Sequence, residues 1–150
     1  MMIALGADHA GYELKEVIKA HLQKKGIEIE DLGTYNTDSV DYPDYAYAVA
    51  QEVTSKKAEY GILCCGTGIG ISIAANKVKG IRAALCSDEF SVEMTRRHND
   101  ANIICFGGRV IKPELAVKLV DIFLSTPFEG DKHLRRINKI ADIENGTYKK

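Results

Sequence analysis

The sequence lacks both a large net charge and long hydrophobic runs, and each absence excludes a class of protein. Its 20 lysines and arginines face 21 aspartates and glutamates, so the formal net charge is −1 and the sequence pI is about 6.4. Because binding to a nucleic-acid backbone needs a strongly basic surface, nucleic acid is not an expected partner. The longest apolar runs, such as 60–65 and 103–106, fall far short of the roughly 20 residues that span a bilayer. An integral membrane protein is therefore not expected.

The sequence also lacks the features of secreted and metal-binding proteins. The segment MMIALGADHA has no basic residue before its short apolar run and has Asp8 directly after it, which is unlike a secretion signal and predicts a cytoplasmic protein. Cys64 and Cys65 are adjacent within an apolar segment, which is unlike a disulfide framework and predicts free thiols. No C-x-x-C or H-x-x-x-H spacing completes a zinc site, so neither a metal nor another cofactor is predicted.

What the sequence does contain is an alternation of strand and helix patterns. Its 150 residues, 45% of them hydrophobic, suit one globular domain with a sizeable core. The predicted strands are 3–5, 27–31, 60–64, 81–85 and 101–106, and the predicted helices are 12–25, 43–53, a segment after Gly70, 88–97, 113–124 and a last helix opened by Gly130 and Asp131. Parallel strands need crossovers, so the pattern predicts a doubly wound, Rossmann-like α/β fold with a five-stranded parallel sheet between two helical layers, α/β/α. Within the single domain 1–150, only the tail at about 145–150 is expected to fray.

The turn after the third predicted strand is the most informative segment, and it reads Cys64-Cys65-Gly66-Thr67-Gly68-Ile69-Gly70. Alternating glycines let the backbone approach a ligand and leave N–H groups for an anion or a developing oxyanion. A cysteine at a helix N-terminus ionises readily, so Cys65 is a candidate base or nucleophile. The structural alternative is that Cys65 is a core residue and the glycines permit close packing. For Cys64, the core interpretation is favoured.

Familiar phosphate motifs do not fit this turn. The third glycine comes one position too early for a dinucleotide fingerprint, and no lysine follows Gly70 as a nucleotide P-loop requires. A cysteine phosphatase needs an arginine that closes the loop, but the first basic residue is Lys77. A bound phosphate would therefore be held mainly by residues from elsewhere.

Polar residues at other strand ends are further candidates, because ligands bind at the carboxyl ends of such strands. Asp8 and His9 follow the first strand, and Arg109 follows the fifth. Asp8 is equally well explained as a helix cap. Two basic groups complete the set. The segment 96–100 has the character of a solvated helix end, whereas cations at the start of the last helix are disfavoured by the helix dipole and so indicate an anionic ligand or partner: Lys132, His133, Arg135 and Arg136.

Together these residues indicate chemistry on a phosphorylated small molecule. Cations would bind the phosphate, a cysteine and a histidine would transfer protons, and amides would stabilise a negative intermediate. Aldose-ketose isomerisation through an enediolate needs these groups and no cofactor.

Over nearly its whole length the chain resembles type B ribose-5-phosphate isomerases, in the family that also contains the galactose-6-phosphate isomerase subunits. The resemblance is carried by Gly6-Ala-Asp-His-Ala-Gly11, Asp41-Tyr-Pro43, Cys65-Gly-Thr-Gly-Ile-Gly-Ile-Ser-Ile-Ala-Ala-Asn-Lys77, Gly80-Ile-Arg-Ala83, His98-Asn-Asp100 and Phe106-Gly-Gly-Arg109. It implies interconversion of D-ribose 5-phosphate and D-ribulose 5-phosphate in the pentose phosphate pathway.

The resemblance also implies a role for each candidate residue. Cys65 matches the base that moves the proton between C2 and C1, and Asp8 and His98 match residues that help open the sugar ring. The amides that match the enediolate hole are those of Gly66, Thr67, Gly68 and Gly70. Asn99 matches a contact to a substrate hydroxyl, and the residues that match phosphate ligands are His9, Arg109, Arg136 and Lys132. Lys132 lies where an arginine is common, and lysine keeps the charge but loses the bidentate geometry.

The resemblance further implies a homodimer or a dimer of dimers, in which His98, Asn99 and the last helix of one subunit serve Cys65 of another. Two alternatives remain open from the sequence. One is a family member that acts on a six-carbon sugar phosphate, such as allose or galactose 6-phosphate. The other is a nucleotide-binding regulatory module of the same fold.

Overall fold

Strands and helices alternate along the chain, as the hydrophobic pattern predicts. The computed structural model describes all 150 residues, and its five strands are β1 (Met2–Ala7), β2 (Glu28–Asp31), β3 (Tyr60–Cys65), β4 (Ala83–Leu85) and β5 (Ile103–Gly107). The six helices are α1 (Tyr12–Lys24), α2 (Tyr42–Thr54), α3 (Ile69–Ala75), α4 (Glu89–Asn99), α5 (Pro113–Ser125) and α6 (Lys132–Asn145). Residues 146–150 follow α6 without helix or strand. None of these helices has the length and apolar character needed to cross a membrane.

All five strands form one parallel sheet in the order β2-β1-β3-β5-β4. From β1 the chain crosses to β2 on one side and then returns past β1 to β3 on the other, so the winding direction reverses between β1 and β3. A crevice opens at the carboxyl ends of the strands where the winding reverses, and α/β sheets bind ligands there. The residues that follow these two strands, Asp8 and Gly66, flank this crevice.

Buried apolar side chains form two clusters, one on each face of the sheet. Helices α1 and α5 cover the face that includes Cys64, whereas α2 and α3 cover the face that includes Cys65. Adjacent strand residues point to opposite faces of a sheet, so the two neighbouring cysteines lie in different clusters. The predicted three-layer α/β/α arrangement is confirmed.

Two predicted strands start two residues too early. The fourth strand was expected from residue 81 but begins at Ala83, because Ile81 is buried within a turn in which its N–H donates to the Val78 carbonyl. The fifth strand was expected from residue 101, but the Ala101 N–H donates to the Thr95 carbonyl at the end of α4. Hydrophobic residues in buried turns thus resembled strand residues in the sequence.

The end of α4 also differs from the prediction. The helix continues to Asn99, two residues beyond the expected end, so His98 and Asn99 lie in its last turn. Arg96, expected to be solvated, is only 4% exposed: its guanidinium donates to the Ala101 carbonyl at 2.8 Å and to the Tyr60 hydroxyl at 3.1 Å. These acceptors compensate for the loss of water, and Arg96 is a structural residue rather than part of a solvated helix end.

One buried ion pair ties α1 to the end of β2. Lys15 is 1% exposed, and its Nζ lies 2.8 Å from both carboxylate oxygens of Asp31. Asp31 also accepts the Gly33 N–H at 3.0 Å and a second hydrogen bond from Lys19 at 3.0 Å. Burial alone would raise the pKa of Asp31, but the donors Lys15, Gly33 and Lys19 outweigh it and hold that pKa below its ordinary value.

Candidate active site

Cys65 ends β3, and its thiol lies at the base of the glycine turn that the sequence singled out. The side chain is buried, and the backbone N–H of Gly68 donates a hydrogen bond to Sγ at 3.1 Å. Gly68 adopts φ +80°, a left-handed conformation that favours glycine. The N–H groups of Gly66, Thr67 and Gly70 donate to no other group of the chain. The turn therefore presents unpaired donors beside the sulfur, an arrangement suited to negative charge on a bound ligand.

This turn is joined to the turns that follow β1 and β5. On the β5 side, the Arg109 N–H donates to the Gly66 carbonyl at 2.9 Å. On the β1 side, a Cβ atom at Gly11 would lie 2.3 Å from the Cys64 carbonyl, a distance that no side chain could adopt. The three strand-end turns thus pack backbone against backbone, which fixes the position of the thiol.

Asp8 and His9 lie in the turn after β1, at the same end of the sheet. Oδ1 of Asp8 accepts the N–H groups of Ala10 and Gly11, both at 3.0 Å, which stabilises the turn. The helix-cap interpretation of Asp8 is wrong, because Gly11 is the N-cap of α1 and no side chain caps this helix. Nδ1 of His9 accepts the Val40 N–H at 3.2 Å, which places the ring hydrogen of a neutral imidazole on Nε2. The second oxygen of Asp8 and Nε2 of His9 are thereby left for other partners.

A cleft of about 530 Å³ lies between this turn and residues 39–44, which lead into the first turn of α2. Tyr42 lines the cleft and packs over the glycine turn, because a Cβ atom at Gly70 would lie 2.7 Å from Cζ of its ring. The sequence analysis gave Tyr42 no role. The available signal was its place in Asp41-Tyr-Pro43, one of the segments that carry the family resemblance.

Arg109 stands over the glycine turn from the β5 side. Its Nη1 lies 3.5 Å from the position that a Cβ atom of Gly66 would occupy, and the side chain is exposed. A cation at this place faces the free amides of the turn. Arg109 and His9 are the two predicted phosphate ligands that the structure places at the same end of the sheet as Cys65.

The other three thiols are unsuited to proton transfer. Burial, together with the neighbouring Cys65, raises the pKa of Cys64 far above its ordinary value. Burial likewise raises the pKa of Cys86 to about 11 and that of Cys105 well above the ordinary value of a thiol. These three cysteines stay protonated near neutral pH.

His98 and Asn99 lie at the opposite end of the sheet from Cys65. The Asn99 carbonyl accepts the Arg82 Nε–H at 2.9 Å, and Arg82 directly precedes β4. The first residue of β4 pairs with Ile103 at the start of β5, whereas Cys65 pairs with the last residue of β5. Four residue steps of a strand correspond to roughly 13 Å, so the structure does not bring these two predicted residues to Cys65 within one chain.

The start of α6 joins His98 rather than Cys65. The rings of His98 and His133 stack with their centroids 4.1 Å apart and an interplanar angle of 7°. Nε2 of His98 and Nε2 of His133 lie 3.7 Å and 3.4 Å from Oε1 of Glu129. The predicted ligands Lys132 and Arg136 flank His133 on α6. The predicted site residues therefore form two groups, one at each end of the sheet.

His98, Glu129 and His133 also form a group of potential metal ligands, with ligand atoms within 4.8 Å of one another. Their geometry does not suit a common ion. Because the two rings are parallel and stacked, their nitrogen lone pairs lie in separate planes and do not converge on one point. Each Nε2 instead lies within ion-pair distance of one oxygen of Glu129.

Comparison with known proteins places this geometry in a family. A family model described as Ribose/Galactose Isomerase matches residues 3–140. The chain belongs to the ribose/galactose isomerase family. It is 49% identical to ribose-5-phosphate isomerase B of Escherichia coli over 142 residues, which are 95% of each chain.

Solved structures of family members agree with this assignment. A ribose 5-phosphate isomerase of Thermotoga maritima is 56% identical and superimposes with a TM-score of 0.93, over 94% of this chain and 97% of that one. Ribose-5-phosphate isomerase B of Mycoplasma genitalium, solved with bound ribulose-5-phosphate, is 42% identical with a TM-score of 0.91 and covers 96% of each chain. The fold and family expected from the sequence are confirmed.

As a member of the ribose/galactose isomerase family, the chain is an isomerase, and its two groups have complementary chemistry. The group at the carboxyl ends of the strands offers a thiol, a carboxylate, free amides, an imidazole and a guanidinium. The group on α4 and α6 offers imidazoles, an amide side chain and further cations. Sequence reasoning missed Glu129, whose only signal was an acidic residue just ahead of a basic helix start.

Proposed function

We propose that the protein interconverts D-ribose 5-phosphate and D-ribulose 5-phosphate in the pentose phosphate pathway, with Cys65 as the base. The observation that carries this proposal is the contact between Sγ of Cys65 and the Gly68 N–H, beside the free amides of the same turn. A hydrogen bond from an N–H group stabilises a thiolate more than a thiol. The named relatives are isomerases, which favours an enzyme over a nucleotide-binding module.

The reaction first requires an open sugar chain. One group takes the proton of the C1 hydroxyl while another gives a proton to the ring oxygen, and the bond between C1 and that oxygen breaks. We assign this step to Asp8 and His98. The free carboxylate oxygen of Asp8 lines the cleft beside His9, and the imidazole of His98 is about half exposed.

Proton transfer between the carbons follows. Cys65 takes the proton from C2 as the enediolate forms, the hydroxyl proton of O2 moves to O1, and the thiol gives a proton to C1, partly after exchange of that proton with solvent. The amides of Gly66, Thr67 and Gly70 are positioned to donate to the enediolate oxygen. Each such donor contributes about 3 kcal/mol where oxyanion holes have been dissected.

We further propose that each site is shared between two copies of the chain. His98, Asn99, Lys132 and Arg136 are separated from Cys65 by the length of the sheet, so they can reach a substrate at Cys65 only from a second subunit. The apolar side chains of Leu134, Ile140 and Ile143 on α6 are at least 48% exposed, which favours burial against another subunit. The protein would act as a homodimer or a dimer of dimers. The cytoplasmic location indicated by the N-terminal sequence remains a prediction.

Proton NMR of ribose 5-phosphate in D2O tests the reaction. With purified protein and EDTA, we expect conversion to ribulose 5-phosphate together with entry of solvent deuterium into the sugar, because Cys65 exchanges its proton with solvent. Conversion of allose or galactose 6-phosphate, but not of ribose 5-phosphate, would assign the hexose phosphate reaction instead. The absence of every conversion at high enzyme concentration would contradict an isomerase.

Subunit complementation tests the shared site. Co-expression of Cys65→Ala and His98→Ala chains under two tags allows purification of the mixed dimer, in which one of the two sites has both residues intact. Unsorted mixtures should regain about a quarter of the wild-type activity and purified mixed dimers about half, although each variant alone is nearly inactive.

The matched control pairs Cys65→Ala with Asp8→Asn. Both residues lie at the same end of the sheet, so every site of that mixed dimer lacks one of them and activity should not return. Recovery with Asp8→Asn, or a lack of recovery with His98→Ala, would contradict the shared site.

A further inference from the structure

Glu129 contacts both imidazoles of the α4 and α6 group through a single oxygen. Its Oε1 lies 3.7 Å from Nε2 of His98 and 3.4 Å from Nε2 of His133. The other oxygen, Oε2, lies 3.8 Å from the Arg97 guanidinium, and the Glu129 N–H donates to the Arg97 carbonyl at 3.0 Å. Glu129 is thus tied to α4 once through its backbone and once through its carboxylate, which also contacts both rings.

The two imidazoles differ in their surroundings. The His133 side chain is 10% exposed, whereas that of His98 is 41% exposed. Burial, the neighbouring His98 and the cations of α6 lower the pKa of His133, and Glu129 opposes this effect.

The charged groups that face this pair come from three elements. Arg97 belongs to α4 and Glu129 to the loop before α6. The groups contributed by the start of α6 are Asp131, Lys132, Arg135 and Arg136. Among the acidic residues, only Glu129 lies within ion-pair distance of either imidazole.

We propose that Glu129 is a positioning residue for ring opening, which holds the His98 imidazole through the contact between its Oε1 and Nε2 of that ring. Nδ1 of His98 is then left to face the sugar. The stacked His133 ring limits rotation of His98 from the other side. This inference rests on the proposed function, because it concerns the part of His98 in that reaction.

The test compares two reactions of the Glu129→Gln enzyme. Conversion of ribose 5-phosphate requires ring opening. Exchange of the C1 hydrogen of ribulose 5-phosphate with D2O does not, since the phosphate on O5 leaves no hydroxyl there to close a ring. We expect the kcat for conversion to fall on the order of tenfold, while the exchange rate and KM stay close to those of the wild type. The titration midpoint of His133, followed by NMR, should also move to lower pH because an opposing carboxylate is lost.

Glu93→Gln is the matched control. Glu93 lies 3.6 Å from Nε of Arg97, so its replacement removes the same charge from the same arginine without touching either imidazole. This variant should convert and exchange at wild-type rates. Equal slowing of conversion and exchange by Glu129→Gln, or no slowing of either, would overturn the positioning role. Failure of the wild-type protein to convert ribose 5-phosphate would instead count against the proposed function.

Discussion

Replacement of Cys65 by alanine should lower kcat for ribose 5-phosphate by about 10²–10⁴-fold, the range that a general base contributes. No other group near the glycine turn can take over. The remaining thiols are buried with raised pKa values. One oxygen of Asp8 is engaged by two backbone N–H groups, and the other is assigned to ring opening. Binding of the sugar phosphate should remain nearly intact, because the predicted phosphate ligands His9 and Arg109 are unchanged. Steady-state kinetics and calorimetric titration with ribose 5-phosphate measure the two effects separately.

Cys64→Ala is the control for this variant. Cys64 is adjacent in the same strand and equally buried, but its side chain points to the α1 and α5 face of the sheet. Its loss should reduce stability modestly and leave kcat close to that of the wild type. A Cys65→Ala enzyme with near-normal kcat would show that another residue is the base.

Replacement of Lys15 by methionine should reduce the free energy of unfolding by about 3–5 kcal/mol, the usual cost of breaking a buried ion pair. The substitution leaves the partly buried Asp31 carboxylate with weaker compensation, from Lys19 and the Gly33 N–H alone. Lys15 also lies between the rings of Tyr12 and Tyr35, at 5.4 Å and 5.7 Å, and these contacts are lost as well. Urea unfolding followed by circular dichroism measures the difference.

Lys19→Met is the matched control, because Lys19 reaches the same carboxylate from a side chain that is 29% exposed. Its replacement should cost less than about 1 kcal/mol. The pKa of Asp31 is lowered in the fold, so its ionised carboxylate stabilises the fold fully at pH values above its ordinary pKa of 3.8. This stabilisation is lost as the pH falls from 3.8 through the lowered pKa. The difference between the wild type and Lys15→Met should therefore shrink in acid. A loss in Lys15→Met no larger than in Lys19→Met would show that the pair adds little.

The sequence predicts the layers of this fold well because the apolar spacing of each element is local. Residues 12–25 have one apolar face, and the structure has α1 there. The order of the strands is not local, since nothing within β3 specifies that β1 and β5 flank it. Local apolar character also gives a wrong prediction at Ile81, whose side chain is buried in a turn rather than in a strand.

The same distinction applies to the site. Asp8, Cys65 and Arg109 could be predicted to lie together because each lies at or just after the end of a parallel strand. The carboxyl ends of parallel strands lie at the same end of the sheet. The contact of Glu129 with His98 could not be predicted, because about thirty residues separate them and only the docking of α6 against α4 brings them together. The separation of His98 from Cys65 follows from helix direction. A helix that connects two parallel strands runs back to the end of the sheet where the next strand begins, and His98 lies in the last turn of such a helix.

Helix α6 buries only two side chains, His133 and Ile137, although it carries part of the proposed site. A helix so lightly anchored within its own chain depends on whatever covers its exposed apolar residues. Where a second subunit covers them, the stability of the helix depends on the association and therefore on the protein concentration. The temperature at which activity is lost then depends on protein concentration. A dilute solution loses turnover at a lower temperature than a concentrated one, while the sheet that carries Cys65 is still folded.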